Sequence, residues 1–95
     1  MTGAQRAEKR KEANTLQPIF QIGKGDIGEN LVHSVDEALE KRELIKLSVL
    51  QTAGISAKDA AENIAAATHA EVIQCIGHKF VLYRESEKKK PGEQK

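Results

Sequence analysis

The sequence predicts a compact α/β domain in the order helix, strand, helix, strand, helix, strand, strand. A four-stranded mixed sheet packs with the helices. Three observations carry this prediction. Apolar residues switch between helical spacing and strict alternation along the chain. Three motifs of the form Ser/Thr/Asp-x-x-Glu/Gln/Asp precede the helical stretches. Glycines fall between the periodic segments. A chain of 95 residues makes one domain and buries roughly 60–65% of its unfolded surface. With only Phe20, Phe80 and Tyr83 as aromatics, the core must be built mostly of Ile, Leu, Val and Ala.

Thr2-x-x-Gln5 is a capping box that opens a first helix over 3–13. Its apolar residues are Ala4, Ala7 and Ala13 alone, the composition of a helix lying on a surface. Pro18 suits the start of a strand over 19–22, where a missing N–H matters least. Gly23-Lys24-Gly25 follows. Asp26-x-x-Glu29 predicts a cap at Asp26 and a helix to Lys41. Ile27, Leu31, Val35 and Leu39 form its apolar stripe, with Val32 and Ala38 alongside. Glu29, Asp36, Glu37 and Glu40 make an acidic face, read as solvated.

Residues 43–50 alternate as a strand, with Ile45, Leu47 and Val49 on one side and Leu44, Lys46, Ser48 and Leu50 on the other. Gly54 marks a turn. Ser56-x-x-Asp59 caps a third helix over 57–68 that should bury Ala57, Ala60, Ala61, Ile64 and Ala67, with Ile55 stapled against Ala60. Residues 71–76 and 79–84 read as a hairpin turning at Gly77-His78. The strand–helix–strand units favour parallel pairing, and the hairpin adds an antiparallel edge. Beyond residue 84 the chain is polar and Lys-rich, so 1–84 is the expected domain and 85–95 an expected disordered tail.

Function classes narrow quickly. No signal region or membrane-length apolar run is present, and the lone Cys75 allows no internal disulfide; a cytoplasmic protein is expected. His33, His69 and His78 lack metal-ligand spacing, and no Walker lysine motif occurs. No metal, cofactor, small-molecule substrate or catalytic residue is therefore expected. Cys75 reads as a small core hydrophobe and Tyr83 as an edge-strand core residue.

Binding remains. The net charge of +1 hides a surplus of +2 in residues 1–13 and +2 in 84–95, against −3 between them. A strand running into Gly23-Lys24-Gly25 and then a helix offers close backbone approach and one cation to a phosphate. Such a turn can also serve steric needs alone. Arg6, Lys9, Arg10 and Lys11 of the first helix could reach further phosphates. The scarcity of aromatics points away from base stacking and toward backbone and shape recognition of structured RNA. The alternative is a protein-docking module that uses the acidic face of the second helix.

Several segments carry a family resemblance: Leu16-Gln17-Pro18-Ile19-Phe20-Gln21-Ile22-Gly23-Lys24-Gly25, Ala38-Leu39-Glu40 with Glu43-Leu44-Ile45-Lys46, Val72-Ile73-Gln74-Cys75-Ile76-Gly77, and Val81-Leu82-Tyr83-Arg84. In this combination and order the chain resembles the CRM domain family in its stand-alone bacterial, YhbY-type form. The resemblance implies a fold similar to the C-terminal domain of translation initiation factor three. It implies RNA binding through the loop after the first strand and the basic first helix, in association with precursors of the large ribosomal subunit. The implied RNA-binding residues are Gly23, Lys24, Gly25, Arg6, Lys9, Arg10 and Lys11. Separately, the small apolar surplus of the chain suggests a monomer. The family's GxxG loop would end at residue 26, which is Asp26 here. An acid at that position opposes an anion, so the first helix should carry a larger share of the contact.

Overall fold

The computed structural model describes residues 2–25 and 27–85. The expected tail beyond Glu85 and the expected cap at Asp26 lie outside the described residues. The elements are α1 (Gly3–Ala13), β1 (Phe20–Ile22), α2 (Glu29–Arg42), β2 (Leu44–Val49), a short 3-10 turn (Gln51–Ala53), α3 (Ala57–Thr68), β3 (Glu71–Ile76) and β4 (Lys79–Tyr83). Their order is the predicted one.

Local chemistry sets most of the boundaries. Both halves of the α1 capping box form: Gln5 N–H donates to Thr2 Oγ1 at 3.2 Å, and Thr2 N–H donates to Gln5 Oε1 at 2.9 Å. Ser56 caps α3 by accepting from Asp59 N–H at 3.1 Å. α2 differs from expectation. Its N-cap is Gly28, which makes no side-chain cap hydrogen bond, so the helix starts at Glu29. It ends where Glu43 adopts a positive φ of 67° with its N–H still donating to the Leu39 carbonyl, which closes the helix and starts β2 one residue later than the alternation suggests. At the hairpin tip φ is positive at Gly77 and not at His78, the pattern of a type II′ turn.

The sheet order is β1-β2-β4-β3. β1 and β2 are parallel; β4 is antiparallel to both β2 and β3. β4 thus inserts between the two strands joined through α3. Its run Phe80-Val81-Leu82 is buried throughout, which suits a central strand covered on both faces. β3, with Glu71 and Gln74, takes the edge.

α2 and α3 cover one face. Their core joins Val35, Leu39, Ala60, Ala61 and Ile64 to Ile22, Ile45, Leu47, Phe80 and Leu82 of the sheet. α1 covers part of the other face, where Ala13 packs with Ile73 and Val81, flanked by Leu16, Leu44 and Tyr83. The result is three layers. On α3 the buried stripe is Ala57, Ala60, Ala61, Ile64, Ala65 and Thr68. Ala67, expected inside, is exposed on the outer seam beside Val32 and His33 of α2.

Cys75 is a second correction. It is exposed, not core. The register skips between Val72, paired with Leu82, and Gln74, paired with Val81, so Ile73 is an extra residue in β3. Cys75 then pairs with Phe80 near the outer end of an edge strand.

The acidic face of α2 is a third. Asp36 and Glu40 are not simply solvated. Both receive the Arg84 guanidinium, which ion-pairs with Asp36 Oδ1 and lies 3.6 Å from Glu40 Oε1. The same group donates to the carbonyls of Thr68 at 2.8 Å and Asp36 at 3.0 Å. Arg84 therefore locks the end of β4 to α2 and to the C-terminus of α3.

Candidate nucleic-acid interface

β1 is anchored by fully buried Ile22, and the chain then leaves the core at once. Lys24 is exposed and has no polar partner among the described residues. Gly25 has φ 77°, a conformation that costs any other residue about 1–2 kcal/mol. A Cβ built at Gly25 would meet nothing within 4 Å. Conformation, not crowding, is what requires glycine there.

The four α1 cations divide into two pairs. Arg6 donates to the Val72 carbonyl at 2.9 Å and to Glu71 Oε1 at 2.7 Å, tying α1 to the edge strand. Lys9 Nζ sits 4.6 Å from the centre of the Tyr83 ring. Both are engaged within the fold. Arg10 and Lys11, in the last turn of α1, are exposed and unpaired among the described residues. Lys9 also occupies a face of Tyr83 that a base would need. Burial raises the Tyr83 phenol pKa above its ordinary value, with repulsion from Glu43, Glu85, Glu12 and Glu71 adding to it.

The pairing register shows where these groups lie. On the α1 side, Leu44, Tyr83 and Glu71 form one cross-strand row, Lys46, Val81 and Gln74 the next, and Gln21, Ser48, Lys79 and Ile76 the third. Arg6 and Lys9 sit over the first row. The glycine loop follows the third row, at the opposite end of β2, roughly 17 Å away for a strand of this length. The structure therefore does not gather all the predicted residues at one point. Arg10 and Lys11 lie on the last turn of α1, which leads to Asn14.

Two cations were missed by reading motifs alone. Lys46 and Lys79 occupy the second and third rows, which α1 covers only in part. Lys46 Nζ reaches the Leu16 carbonyl at 3.4 Å, while Lys79 is exposed and unpaired among the described residues. The signal was present: Lys46 stands opposite the core-facing residues in the β2 alternation. By contrast, the cleft of about 400 Å³ beside Lys9 and His69 carries Glu8, Glu71 and Glu85, and is poorly suited to an anion. Among the described residues no group of three or more His, Cys, Asp or Glu side chains is placed to hold a metal. No helix among them is long and apolar enough to cross a membrane.

A family model for the CRS1/YhbY (CRM) domain matches residues 1–84. The chain is 43% identical over 90 residues to the "Probable RNA-binding protein YqeI" of Bacillus subtilis, covering 95% of this chain and 94% of that one. It is 33% identical over 78 residues to an "RNA-binding protein" of Haemophilus influenzae, covering 82% of this chain and 79% of that one. Its structure is similar to the solution structure of SAV1595 from Staphylococcus aureus, with TM-score 0.74 and 45% identity over 95% of this chain and 94% of that one.

Proposed function

The chain belongs to the CRS1/YhbY (CRM) domain family, and from that premise we propose that it is a non-enzymatic RNA-binding protein acting on structured precursor rRNA during assembly of the large ribosomal subunit. The observation that carries RNA binding is the family match over residues 1–84, together with relatives named as RNA-binding proteins. Lys24, Arg10 and Lys11 support it as exposed cations without partners among the described residues. They are the groups best placed to take phosphates, with Gly23 and Gly25 letting the backbone approach. Arg6 and Lys9 hold α1 in position and contribute to the field around it. Three phosphate contacts would give a logarithmic salt dependence of about −2 to −3.

The protein-docking alternative loses part of its basis. Of the four carboxylates that motivated it, Asp36 and Glu40 hold Arg84, and Glu37 lies 3.4 Å from His33. In this reading residues 1–84 form the binding domain, residues 85–95 a polar tail that adds positive charge, and the protein works as a cytoplasmic monomer.

Sedimentation of cell lysate through sucrose gradients at low and high salt tests the proposal. Salt-sensitive co-migration with free or immature large subunits is expected. A protein that stays among free soluble proteins even at low salt would remove the ribosomal assignment.

A further inference from the structure

α1 stops short of the β1 end of the sheet's second and third rows. Between its C-terminus and the β3–β4 hairpin lies a groove lined by Asn14, Lys46, Gln74, Ile76, Lys79 and Val81. Its volume is about 130 Å³. Two lysines reach it and no carboxylate lines it. Lys46 pairs with Val81 and Lys79 with Ser48, so the two lysines are diagonal neighbours on adjacent strands of one face. Diagonal positions lie about 7–8 Å apart, within reach of long side chains, so one anion above the strands could be met by both cations. Lys46 donates to the Leu16 carbonyl 3.4 Å away and forms no ion pair among the described residues.

The rest of the lining adds a different chemistry. Ile76 is 65% exposed, the most exposed large hydrophobic residue of the fold, and gives the groove an apolar wall. Gln74 and Asn14 bring side-chain amides, each able to donate and accept. The bulge at Ile73 sets Gln74 opposite Val81, on the α1 side, so the irregularity of β3 helps build the groove. Cations, an apolar wall and amide edges together match a nucleotide whose base has left the stack, with its flanking phosphates over the lysines.

We infer that this groove receives one unpaired nucleotide of the bound RNA. The inference rests on the RNA-binding reading above and names the part of the RNA that meets the sheet. It makes the protein a reader of loops or bulges next to a helix: α1 and the glycine loop take the phosphates, and the sheet takes the extruded base.

The test compares a hairpin RNA having an unpaired loop with the same stem as a blunt duplex, in binding titrations over a range of salt. The wild-type protein should prefer the hairpin. The double substitution Lys46→Gln, Lys79→Gln should abolish that preference and lower the hairpin salt slope by about 1.4, from two single-strand contacts. Gln74→Ala should weaken hairpin binding about two- to tenfold and leave duplex binding unchanged. Lys24→Ala should weaken both RNAs alike. Circular dichroism checks that each variant is folded. Equal wild-type affinity for the two RNAs would overturn the inference and leave RNA binding intact. A folded double variant with wild-type preference and slope would also overturn it, leaving the face to a protein partner. Wild-type protein that binds neither RNA would overturn both readings.

Discussion

Replacing Arg84 with Ala should destabilise the fold and leave the RNA contact unchanged. The guanidinium is 17% exposed and serves two carbonyls and two carboxylates drawn from α2 and α3. A charged hydrogen bond contributes about 1.5–3 kcal/mol, and a buried carbonyl that loses its donor costs about 1–3 kcal/mol. The Asp36 side chain is 50% exposed, so its ion pair belongs near the surface range of about 0–1 kcal/mol. Thr68 lies in the last turn of α3, where carbonyls lack helical partners, so its loss of Arg84 weighs most. These effects overlap and do not add; about 2–3 kcal/mol is the net expectation. In a domain of this size that lowers the melting temperature by about 10–20 °C. Thermal and urea unfolding followed by circular dichroism measure it. Arg84→Lys should recover only part of the loss, since an ammonium cannot span the same set of acceptors. A drop of less than about 3 °C with an unchanged urea slope would refute the locking role. A reduced salt slope for RNA in folded Arg84→Ala would refute its assignment to structure and return Arg84 to the interface.

Lys24→Ala should weaken RNA binding uniformly across sequences and lower the salt slope by about 0.7–0.9, the value of one phosphate contact; an unchanged slope removes Lys24 from the site. Tyr83 is the only tyrosine and no tryptophan is present, so ultraviolet titration reads it alone. Its midpoint should lie above 10 because burial, reinforced by the nearby glutamates, disfavours the phenolate. The unfolded chain then loses this proton first, so stability from Tyr83 is complete below about pH 10 and declines as pH rises beyond it. A midpoint at or below the ordinary value contradicts the packing of Tyr83 beneath α1. Exposed Cys75 should react with a thiol reagent as fast in the native protein as in denaturant, and strong native protection would show that the edge-strand placement is mistaken.

How much was legible depends on how local the cause is. The limits of α1 and α3 were readable because a capping box is a contact between residues three apart. The hairpin was readable because Gly77 supplies the positive φ its turn needs. Lys24 and Gly25 were readable as a loop, because a glycine pair after an apolar strand can do little else. Arg6 looked like any other basic residue on α1. Only the placement of Glu71, 65 positions later, shows that it is already paired. Cys75 was misread because alternation does not say where a strand sits: the register puts it opposite buried Phe80, but near the outer end of an edge strand, where it is exposed.

By itself the sequence determined the kinds and order of the elements, the three-helix, four-strand content and the family. The elements follow from contacts within a few residues and from the pattern of apolar side chains; the family follows from the likeness of whole segments such as Gly23-Lys24-Gly25 and Val81-Leu82-Tyr83-Arg84. The tertiary structure alone decided that β4 enters between β2 and β3, that Arg6, Lys9 and Arg84 hold the layers together, and that a groove beside α1 carries Lys46 and Lys79. Those outcomes depend on pairings between residues far apart in the chain. Which cation is spent inside the fold, and which is left for a phosphate, is known only once such distant partners have met.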